Sequence, residues 1–416
     1  MNPRILENQR RTMLALIAAL EPALVPGRHF AAEIRHELAR HDGFGSRDRR
    51  LYREAIYTWL RYLPWFKTAL KHSPEAAARL LIALSGESSD MGPLQAALPL
   101  PPESTLIRTP GPAAWDQLRL LLPGLDFSPR ELLPSWFHAD CPALLEPAEL
   151  ALHLTRPPLW LRAQRGTGAE LLQELARSGI VATVNPLLPH ALRIATHVDL
   201  EEHPLVQQGR AEIQDAGSQA LLTLAQPTPG GRWLDLCAGA GGKTLQLASL
   251  LGPKGRVHAH DIRRDALMEL RRRANRAGLP NITIEPVLPT EGTAHFDGVL
   301  VDAPCSGSGT WRRHPFLIHQ TNPDQIASHA RQQFQLLMRG AAYTAPGGRL
   351  IYATCSLSRR ENEEVVARLL AERPEFKTET IPAALGCPPT PAGWLTLLPS
   401  TLDSDGYFLA CLRRQS

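Results

Sequence analysis

The sequence predicts an α/β protein in which a helical segment precedes a mainly parallel sheet. Apolar residues recur at helical spacing from Met1 to about His72. From Trp233 onward, short apolar runs alternate with glycine-containing loops and helices, which is the pattern of a doubly wound parallel sheet. A shorter alternation of strand, helix and strand lies between them. We therefore predict three domains, which cover residues 1–134, 135–208 and 209–416.

The composition is that of an ordinary globular protein. The 416 residues are 44% hydrophobic and 21% charged, with a net charge of +4. No run approaches the ~20 apolar residues that a membrane span needs, and the first residues lack the apolar core of a signal peptide. The six cysteines are scattered without a CxxC pair. We therefore expect a cytoplasmic protein with free thiols and no metal site.

The N-terminal segment is predicted to be helical and basic. Helical spacing of apolar residues covers Arg11–Leu20 and His29–His41, and a third helix follows over Arg47–Leu63. Residues 1–72 hold 13 Lys or Arg against 7 Asp or Glu. Arginine suits bidentate contacts to phosphate, so the arginines of the third helix predict either a face for RNA or a solvated helical surface. These arginines are Arg47, Arg49, Arg50, Arg53 and Arg61.

The middle of the chain is less regular. Leu94–Pro134 is rich in proline and leucine, and could either complete the helical bundle or act as a semi-rigid connector. Strands are predicted at Leu159–Ala163, Ile180–Val184 and Leu192–Ile194, with a helix over Ala169–Arg177. This stretch predicts a small α/β domain.

The last part of the chain supplies the predicted main sheet. In open α/β sheets, ligands bind beyond the carboxyl ends of the strands, so the loops that follow these strands are where site residues are expected. The predicted strands are Arg232–Leu236, Arg256–Asp261, Ile282–Pro286, Gly298–Val301, Arg349–Ala353, Trp394–Leu398 and Tyr407–Arg413.

The loop after the first of these strands is predicted to bind a nucleoside-containing cofactor. Cys237–Gly242 is a tight glycine turn before a helix, where backbone N–H groups can approach a ligand. A P-loop would need Gly in place of Cys237, and a dinucleotide fingerprint would need Gly in place of Thr244. Asp261 ends the next strand 20 residues after Gly241, which suits a carboxylate on ribose hydroxyls. We therefore expect S-adenosylmethionine in preference to NAD.

Two cysteines at strand ends are the candidates for covalent chemistry. Asp302 and Cys305 follow the strand Gly298–Val301, and Cys355 follows Arg349–Ala353. Two such thiols can face one crevice, although each could equally be a buried and inert cysteine. A thiolate that adds to carbon 6 of a pyrimidine makes carbon 5 able to attack a methyl group. A base must then remove the carbon-5 proton.

With these motifs the sequence resembles the RNA cytosine-5 methyltransferases of the Sun/Fmu type. Asp302-Ala303-Pro304-Cys305-Ser306-Gly307 and Thr354-Cys355-Ser356 together are specific for that family, and the likeness runs from Gln214 to the closing Asp405-Gly406-Tyr407-Phe408. The resemblance implies a Rossmann-like class I methyltransferase domain, a small α/β domain before it, and an N-terminal helical, NusB-like domain that binds RNA. We expect a monomer whose partner is RNA and that needs neither a membrane nor a metal.

The resemblance also implies a role for each site residue. Cys355 would be the nucleophile and Cys305 the cysteine that releases the product. Asp302 would hold the target base, and Lys243 would reach into the active site beside them. The residues expected at the cofactor are Cys237, Ala238, Gly239, Ala240, Gly241, Gly242, Lys243, Asp261 and Asp302.

The chain departs from the family pattern at two places. After Ile282–Pro286, where related enzymes place an Asp near the adenine, the acid that follows is Glu291, and Phe316 stands where an acid is common. The expected function is methyl transfer from S-adenosylmethionine to carbon 5 of a cytosine in small-subunit (16S) ribosomal RNA, through a covalent cysteine–cytosine adduct. The same chemistry on transfer RNA, and a non-catalytic RNA-binding or ribosome assembly factor, are the alternatives.

Overall fold

The computed structural model describes residues 3–86, 90–101, 104–195, 198–291 and 295–416. The chain divides into two compact units. We call Met1–Arg156 with Trp311–Asn322 the helical unit, and Pro157–Thr310 with Pro323–Ser416 the sheet unit. Within the described ranges, no helix combines the length and the apolar character that a bilayer crossing requires. The three-part division at residues 134 and 208 stays a prediction.

The helical unit packs around buried aromatic side chains. The predicted first three helices are confirmed, and the stretch after Leu94 completes the bundle, because Trp115 packs edge-on against Trp65 with ring centroids 6.0 Å apart. Phe316 is a core residue of this unit and contacts Phe30 at 5.9 Å between centroids. The helices are α1 (Pro3–Leu20), α2 (Phe30–Ala39), α3 (Ser46–Arg61), α4 (Leu63–His72), α5 (Pro74–Leu84), α6 (Gly92–Gln95), α7 (Pro112–Leu121), α8 (Pro147–His153) and, from the second stretch, α14 (Phe316–Gln320).

The prediction that Arg61 belongs to an exposed arginine face of α3 is wrong. Its side chain is 5% exposed and donates a hydrogen bond to the Arg312 carbonyl, because the stretch 311–322 covers the end of the helix. Arg49 donates to the Leu38 carbonyl and so braces the bundle. Arg50 forms an ion pair with Asp90 at 2.8 Å. The remaining arginines still leave a partly basic surface, and RNA binding by this unit stays a prediction.

The sheet unit begins with a small antiparallel sheet of order β2-β3-β1-β4. The last of its strands lies beyond the predicted boundary at residue 208. Trp160 joins this sheet to the rest of the unit, since its indole N–H donates to the Asp403 carbonyl at 3.2 Å. The strands are β1 (Leu159–Ala163), β2 (Ala182–Val184), β3 (Ala191–Ile194) and β4 (Ala211–Ile213), with helices α9 (Gly168–Arg177), α10 (Pro204–Gln207) and α11 (Ala216–Ala225).

The main sheet has the order β10-β12-β9-β8-β5-β6-β7, with β11 paired to β12. All seven predicted strands are present, and β5 to β9 pair in parallel as expected. The strands are β5 (Arg232–Asp235), β6 (Arg256–Ala259), β7 (Ile282–Ile284), β8 (Phe296–Asp302), β9 (Thr344–Thr354), β10 (Phe376–Thr378), β11 (Trp394–Leu397) and β12 (Tyr407–Arg414). The helices are α12 (Gly242–Leu251), α13 (Arg264–Ala277), α15 (Pro323–Tyr343), α16 (Glu363–Glu372) and α17 (Pro399–Leu402).

The expectation of a parallel sheet is wrong for the C-terminal strands. β12 runs antiparallel to β9, β10 and β11. The connection from β11 to β12 covers only residues 398–406, which is shorter than the crossover that a parallel pair needs. β5, β6, β8 and β9 nevertheless pair in parallel, so their carboxyl ends meet at one edge of the sheet. The predicted site residues follow these strands.

Candidate active site

The structure brings Cys305 and Cys355 together. Asp302, the last residue of β8, is paired with Ala353 of β9, so the loops after these parallel strands leave the sheet side by side. The two Sγ atoms are 3.3 Å apart. Both cysteines are free and partly exposed. The distance is within reach of a hydrogen bond between the thiols and is longer than the ~2.05 Å of a disulfide.

Lys243 and Asp302 form an ion pair beside the thiols. Lys243 lies in the first turn of α12, and its Nζ is 2.8 Å from Oδ2 of Asp302. Burial acts to lower the pKa of Lys243, but the negative charges of Asp302 and of Cys355 outweigh it, so that this pKa is raised. Lys243 therefore keeps its positive charge next to the thiols.

Cys305 is held in its protonated form. The hydrogen bond with Cys355, burial, and the negative charges of Cys355 and Glu361 together raise the pKa of Cys305 well above its usual value. The two thiols thus differ in their surroundings, because Lys243 interacts with Cys355 whereas the acid Glu361 interacts with Cys305.

The predicted cofactor loop is a tight glycine turn between β5 and α12. Gly239 and Gly241 have positive φ values of 54° and 95°, a region that favours glycine. A Cβ at Gly241 would lie 2.7 Å from Cγ of Leu270. Burial raises the pKa of the Cys237 thiol far above its usual range, so this cysteine is an inert part of the loop.

Asp261 lies against the glycine loop, and its predicted contact with ribose hydroxyls stays a prediction. Its Oδ2 accepts the Gly239 N–H at 2.8 Å, and its Oδ1 accepts the Arg263 N–H at 2.9 Å. The Arg263 guanidinium also contacts both carboxylate oxygens. Burial acts to raise the pKa of Asp261, but the hydrogen bonds from Arg263 and Gly239 lower it, so this residue is a carboxylate in the folded protein.

Sequence reasoning missed three residues at this edge. Ile262 and Val287 are apolar, yet 84% and 79% exposed. They occupy equivalent positions beyond β6 and β7, three residues after the paired residues Ala259 and Ile284. The third is Glu361, a buried acid that contacts both cysteine loops. An apolar residue directly after a strand-ending Asp was a usable signal for Ile262, whereas nothing local distinguishes Glu361 from the acids that follow it.

The two acids that follow β7 both contact basic side chains. Glu291 forms an ion pair with Arg339 at 3.3 Å. Glu285, which directly follows β7, places Oε1 2.8 Å from Nδ1 of His258. Both acids therefore already have partners.

Similarity to known proteins covers the whole candidate site. A family model described as 16S rRNA methyltransferase RsmB/F matches residues 222–413. The chain is 34% identical to ribosomal RNA small subunit methyltransferase B of Klebsiella pneumoniae over 263 residues, which are 62% of this chain and 59% of that protein. It is 32% identical to the protein of the same name from Yersinia pseudotuberculosis over 305 residues, which are 71% of this chain and 69% of that protein.

The fold is also found among solved structures. The crystal structure of a protein designated PH0851 matches with a TM-score of 0.68 at 22% identity, over 97% of this chain and 99% of that chain. This likeness covers 97% of the chain, whereas the match to the Klebsiella protein covers 62% of it, so the shared fold extends beyond the part which that relative matches. The match to the Klebsiella protein spans about three fifths of that protein's length.

Proposed function

Because the chain belongs to the 16S rRNA methyltransferase RsmB/F family, we propose that it transfers a methyl group from S-adenosylmethionine to carbon 5 of a cytosine in small-subunit (16S) ribosomal RNA. The observation that carries the proposal is the 3.3 Å distance between the Sγ atoms of Cys305 and Cys355. Two thiols at contact distance supply the two roles that this chemistry needs, one to attack the base and one to help release it.

Cys355 is the nucleophile in this proposal. Its sulfur bonds to carbon 6 of the cytosine, and the ring electrons that this addition displaces make carbon 5 a nucleophile. The positive charge of Lys243, which interacts with Cys355, favours the thiolate that attacks. Asp302 holds the N3 edge of the base, where charge develops. The target cytosine must leave its stack to reach these groups.

Cys305 acts at the release step. After methyl transfer, carbon 5 carries both the new methyl group and a hydrogen, and the ring is restored when that proton leaves and the bond from sulfur to carbon 6 breaks. The hydrogen bond with Cys355 is the largest cause that raises the pKa of Cys305. Once the Cys355 sulfur is bound to carbon, its negative charge is gone and the pKa of Cys305 falls, so Cys305 can lose its own proton to solvent. The Cys305 thiolate then takes the carbon-5 proton, the electrons of that C–H bond restore the ring double bond, and the Cys355 thiolate leaves carbon 6.

The residues around the glycine loop fit S-adenosylmethionine. Bound there, the cofactor supplies an electrophilic methyl group. The exposed side chains of Ile262 and Val287 would cover the faces of a flat apolar ring such as adenine. Asp261 would accept hydrogen bonds from ribose hydroxyls. For this, the Arg263 guanidinium has to move off the carboxylate, which its 64% exposed side chain allows.

The proposal predicts opposite outcomes for the two cysteines. With 16S ribosomal RNA and labelled S-adenosylmethionine, Cys355→Ala should abolish methyl transfer, because no adduct can form. Cys305→Ala should accumulate a covalent protein–RNA adduct that survives denaturing gel electrophoresis, because release is blocked. Cys387→Ala, which removes a half-buried thiol elsewhere, should behave like the wild-type protein.

Three results would contradict parts of the proposal. An adduct that accumulates in Cys355→Ala would reverse the two roles. Label that appears in transfer RNA and not in 16S ribosomal RNA would support the same chemistry on another substrate. RNA binding by the wild-type protein without any methyl transfer would support a non-catalytic assembly factor.

A further inference from the structure

Glu361 is a fully buried acid, 0% exposed, that contacts both cysteine loops. Its Oε1 accepts the backbone N–H of Ser306 at 2.8 Å, and its Oε2 accepts the hydroxyl of Ser356 at 2.6 Å. Ser306 directly follows Cys305, and Ser356 directly follows Cys355. The Ser306 hydroxyl donates to the same carboxylate. One side chain therefore bridges the residues next to each thiol.

The serine hydroxyls around Glu361 can all donate their hydrogen bonds toward its carboxylate. The Ser308 hydroxyl accepts the Leu357 N–H at 2.8 Å and can donate to the Ser356 hydroxyl at 2.9 Å. The Ser356 hydroxyl also accepts the Ser358 N–H at 3.0 Å, and then donates to Glu361. Each hydroxyl can thus give its single proton toward the acid. An ionised carboxylate, which accepts and cannot donate, completes this pattern.

Helix α15 fixes the acid from the other side. Gln333 is buried, and its Nε2 lies 3.0 Å from Oε1 of Glu361 and 2.9 Å from the carbonyl oxygen of Pro304. Pro304 directly precedes Cys305. The Cys305 loop is therefore held on both sides of the thiol, through Pro304 by Gln333 and through Ser306 by Glu361.

We propose that Glu361 is a positioning residue of the methyl-transfer site, whose carboxylate fixes the two cysteine loops so that the thiols stay at contact distance. The inference rests on the proposed function and adds a residue to it. Both carboxylate oxygens of Glu361 accept hydrogen bonds, whereas a glutamine there would present one accepting oxygen and one donating NH2 group. A neutral replacement would therefore relax the loops as well as remove the charge.

The charge of Glu361 also distinguishes the two thiols. It is one of the causes that raise the pKa of Cys305, after the hydrogen bond with Cys355, burial and the charge of Cys355. The other titratable groups around the pair are Tyr352 of β9, Asp302 of β8 and Lys243 of α12. Lys243 thus places a positive charge near Cys355, whereas the charge of Glu361 near Cys305 helps to keep the proton on the release cysteine.

The test uses full-length Glu361→Gln, which keeps the size of the side chain and removes its charge. The first readout is the pH dependence of Cys305 alkylation by iodoacetamide, followed by mass spectrometry in a Cys355→Ala background. Its midpoint should fall by about one pH unit, because a nearby negative charge is lost.

The second readout is methyl transfer with Cys355 intact, which should fall by about 100-fold as the thiols lose their alignment. Glu364→Gln, an exposed acid in the same segment, is the matched control.

The outcomes separate this inference from the proposed function. Alkylation needs neither RNA nor cofactor, so an unchanged Cys305 profile in folded Glu361→Gln overturns the inference even if the protein methylates RNA. Wild-type transfer by that variant also overturns it. If Glu361→Gln does not fold, Ser306→Ala removes one donor to the carboxylate, and a wild-type transfer rate in that variant overturns the positioning role. A shifted profile, together with a wild-type protein that methylates no RNA, would support the hold of Glu361 on the Cys305 loop and would refute the proposed function.

Discussion

At the scale of single residues, burial and neighbours decide which groups of this site carry charge. The spacing of strand ends in the sequence predicted Cys305 and Cys355 at one edge, because the carboxyl ends of parallel strands coincide. Lys243 was expected beside them only from the family resemblance. The buried position of Glu361 could not be predicted in this way. Its burial depends on α15 and on two loops far apart in the sequence, and the two acids that follow it most closely, Glu363 and Glu364, are half-buried and exposed.

Asp235 provides a test of whether burial keeps an acid protonated in the folded protein. It is fully buried at the end of β5, and its Oδ2 accepts the Thr244 hydroxyl at 2.7 Å. Burial raises the pKa of Asp235 from 3.8 to about 7, although the Thr244 hydrogen bond acts against the shift. Between these two values the folded state holds a proton that the unfolded state has lost. The free energy of unfolding should therefore decrease as the pH rises from about 4 to about 7, by up to about 1.4 kcal/mol per pH unit.

Asp235→Asn should remove this pH dependence, because the amide keeps the size and the acceptor oxygen but does not titrate. Urea unfolding of both proteins at several pH values from 5 to 8 measures the difference. Asp116→Asn, which changes an exposed acid, should run parallel to the wild-type protein. Wild-type and Asp235→Asn curves that stay parallel throughout would show that Asp235 is ionised in the folded state.

At the scale of elements, most strands were predictable, whereas the three-residue strands β4 and β10 and the antiparallel direction of β12 were not. The C-terminal parts of β8 and β9, residues 298–301 and 350–353, are buried on both faces and appear in the sequence as short, mainly apolar runs. β10 has only three residues, too few to show a periodicity. The direction of β12 depends on the length of its connection, which hydrophobic pattern does not encode. The glycine loop was predictable because its conformation requires particular residues.

Two neighbouring glycines of that loop should respond differently to alanine. Gly241 has φ 95°, and a Cβ there would lie 2.7 Å from Cγ of Leu270 and 3.0 Å from Cδ1 of Leu245. Gly241→Ala should lower the free energy of unfolding by about 1–3 kcal/mol. Gly242 begins α12, and a Cβ there would meet no atom within 4 Å. Gly242→Ala should leave stability unchanged or raise it by up to about 1 kcal/mol. Urea unfolding measures both, and equal losses would contradict the strain assigned to Gly241.

At the scale of the whole molecule, the helical unit is built from two separate stretches of chain. Trp311 follows Cys305 by six residues in the sequence, yet it packs against Phe137 with ring centroids 4.7 Å apart. His319 Nε2 donates to the Leu60 carbonyl at 2.7 Å. A boundary based on composition alone could not predict this, because the second stretch is short and lies inside the sequence of the sheet unit.

Loss of a core side chain from the second stretch should therefore destabilise the first. Trp311 is fully buried, and Trp311→Ala should cost about 3–5 kcal/mol in the stability of the helical unit. Hydrogen exchange of α1 to α5, followed by mass spectrometry in the full-length protein, reports that loss. Leu120→Ala, which shortens an exposed side chain of α7, should change exchange by less than about 0.5 kcal/mol. Unchanged exchange in Trp311→Ala would mean that the stretch 311–322 only rests on the bundle.

The divided helical unit also affects how such a protein can be inherited. A single recombination event between related genes, placed near residue 156, would exchange the first stretch and leave the resident residues 311–322 in place. The incoming helices would then have to accept Trp311 and Phe316 from another lineage into their core. Two coordinated crossovers are needed to move the unit intact. The helical unit and the sheet unit should therefore be inherited together. We do not expect gene transfer or deletion to move or remove the helical unit by itself.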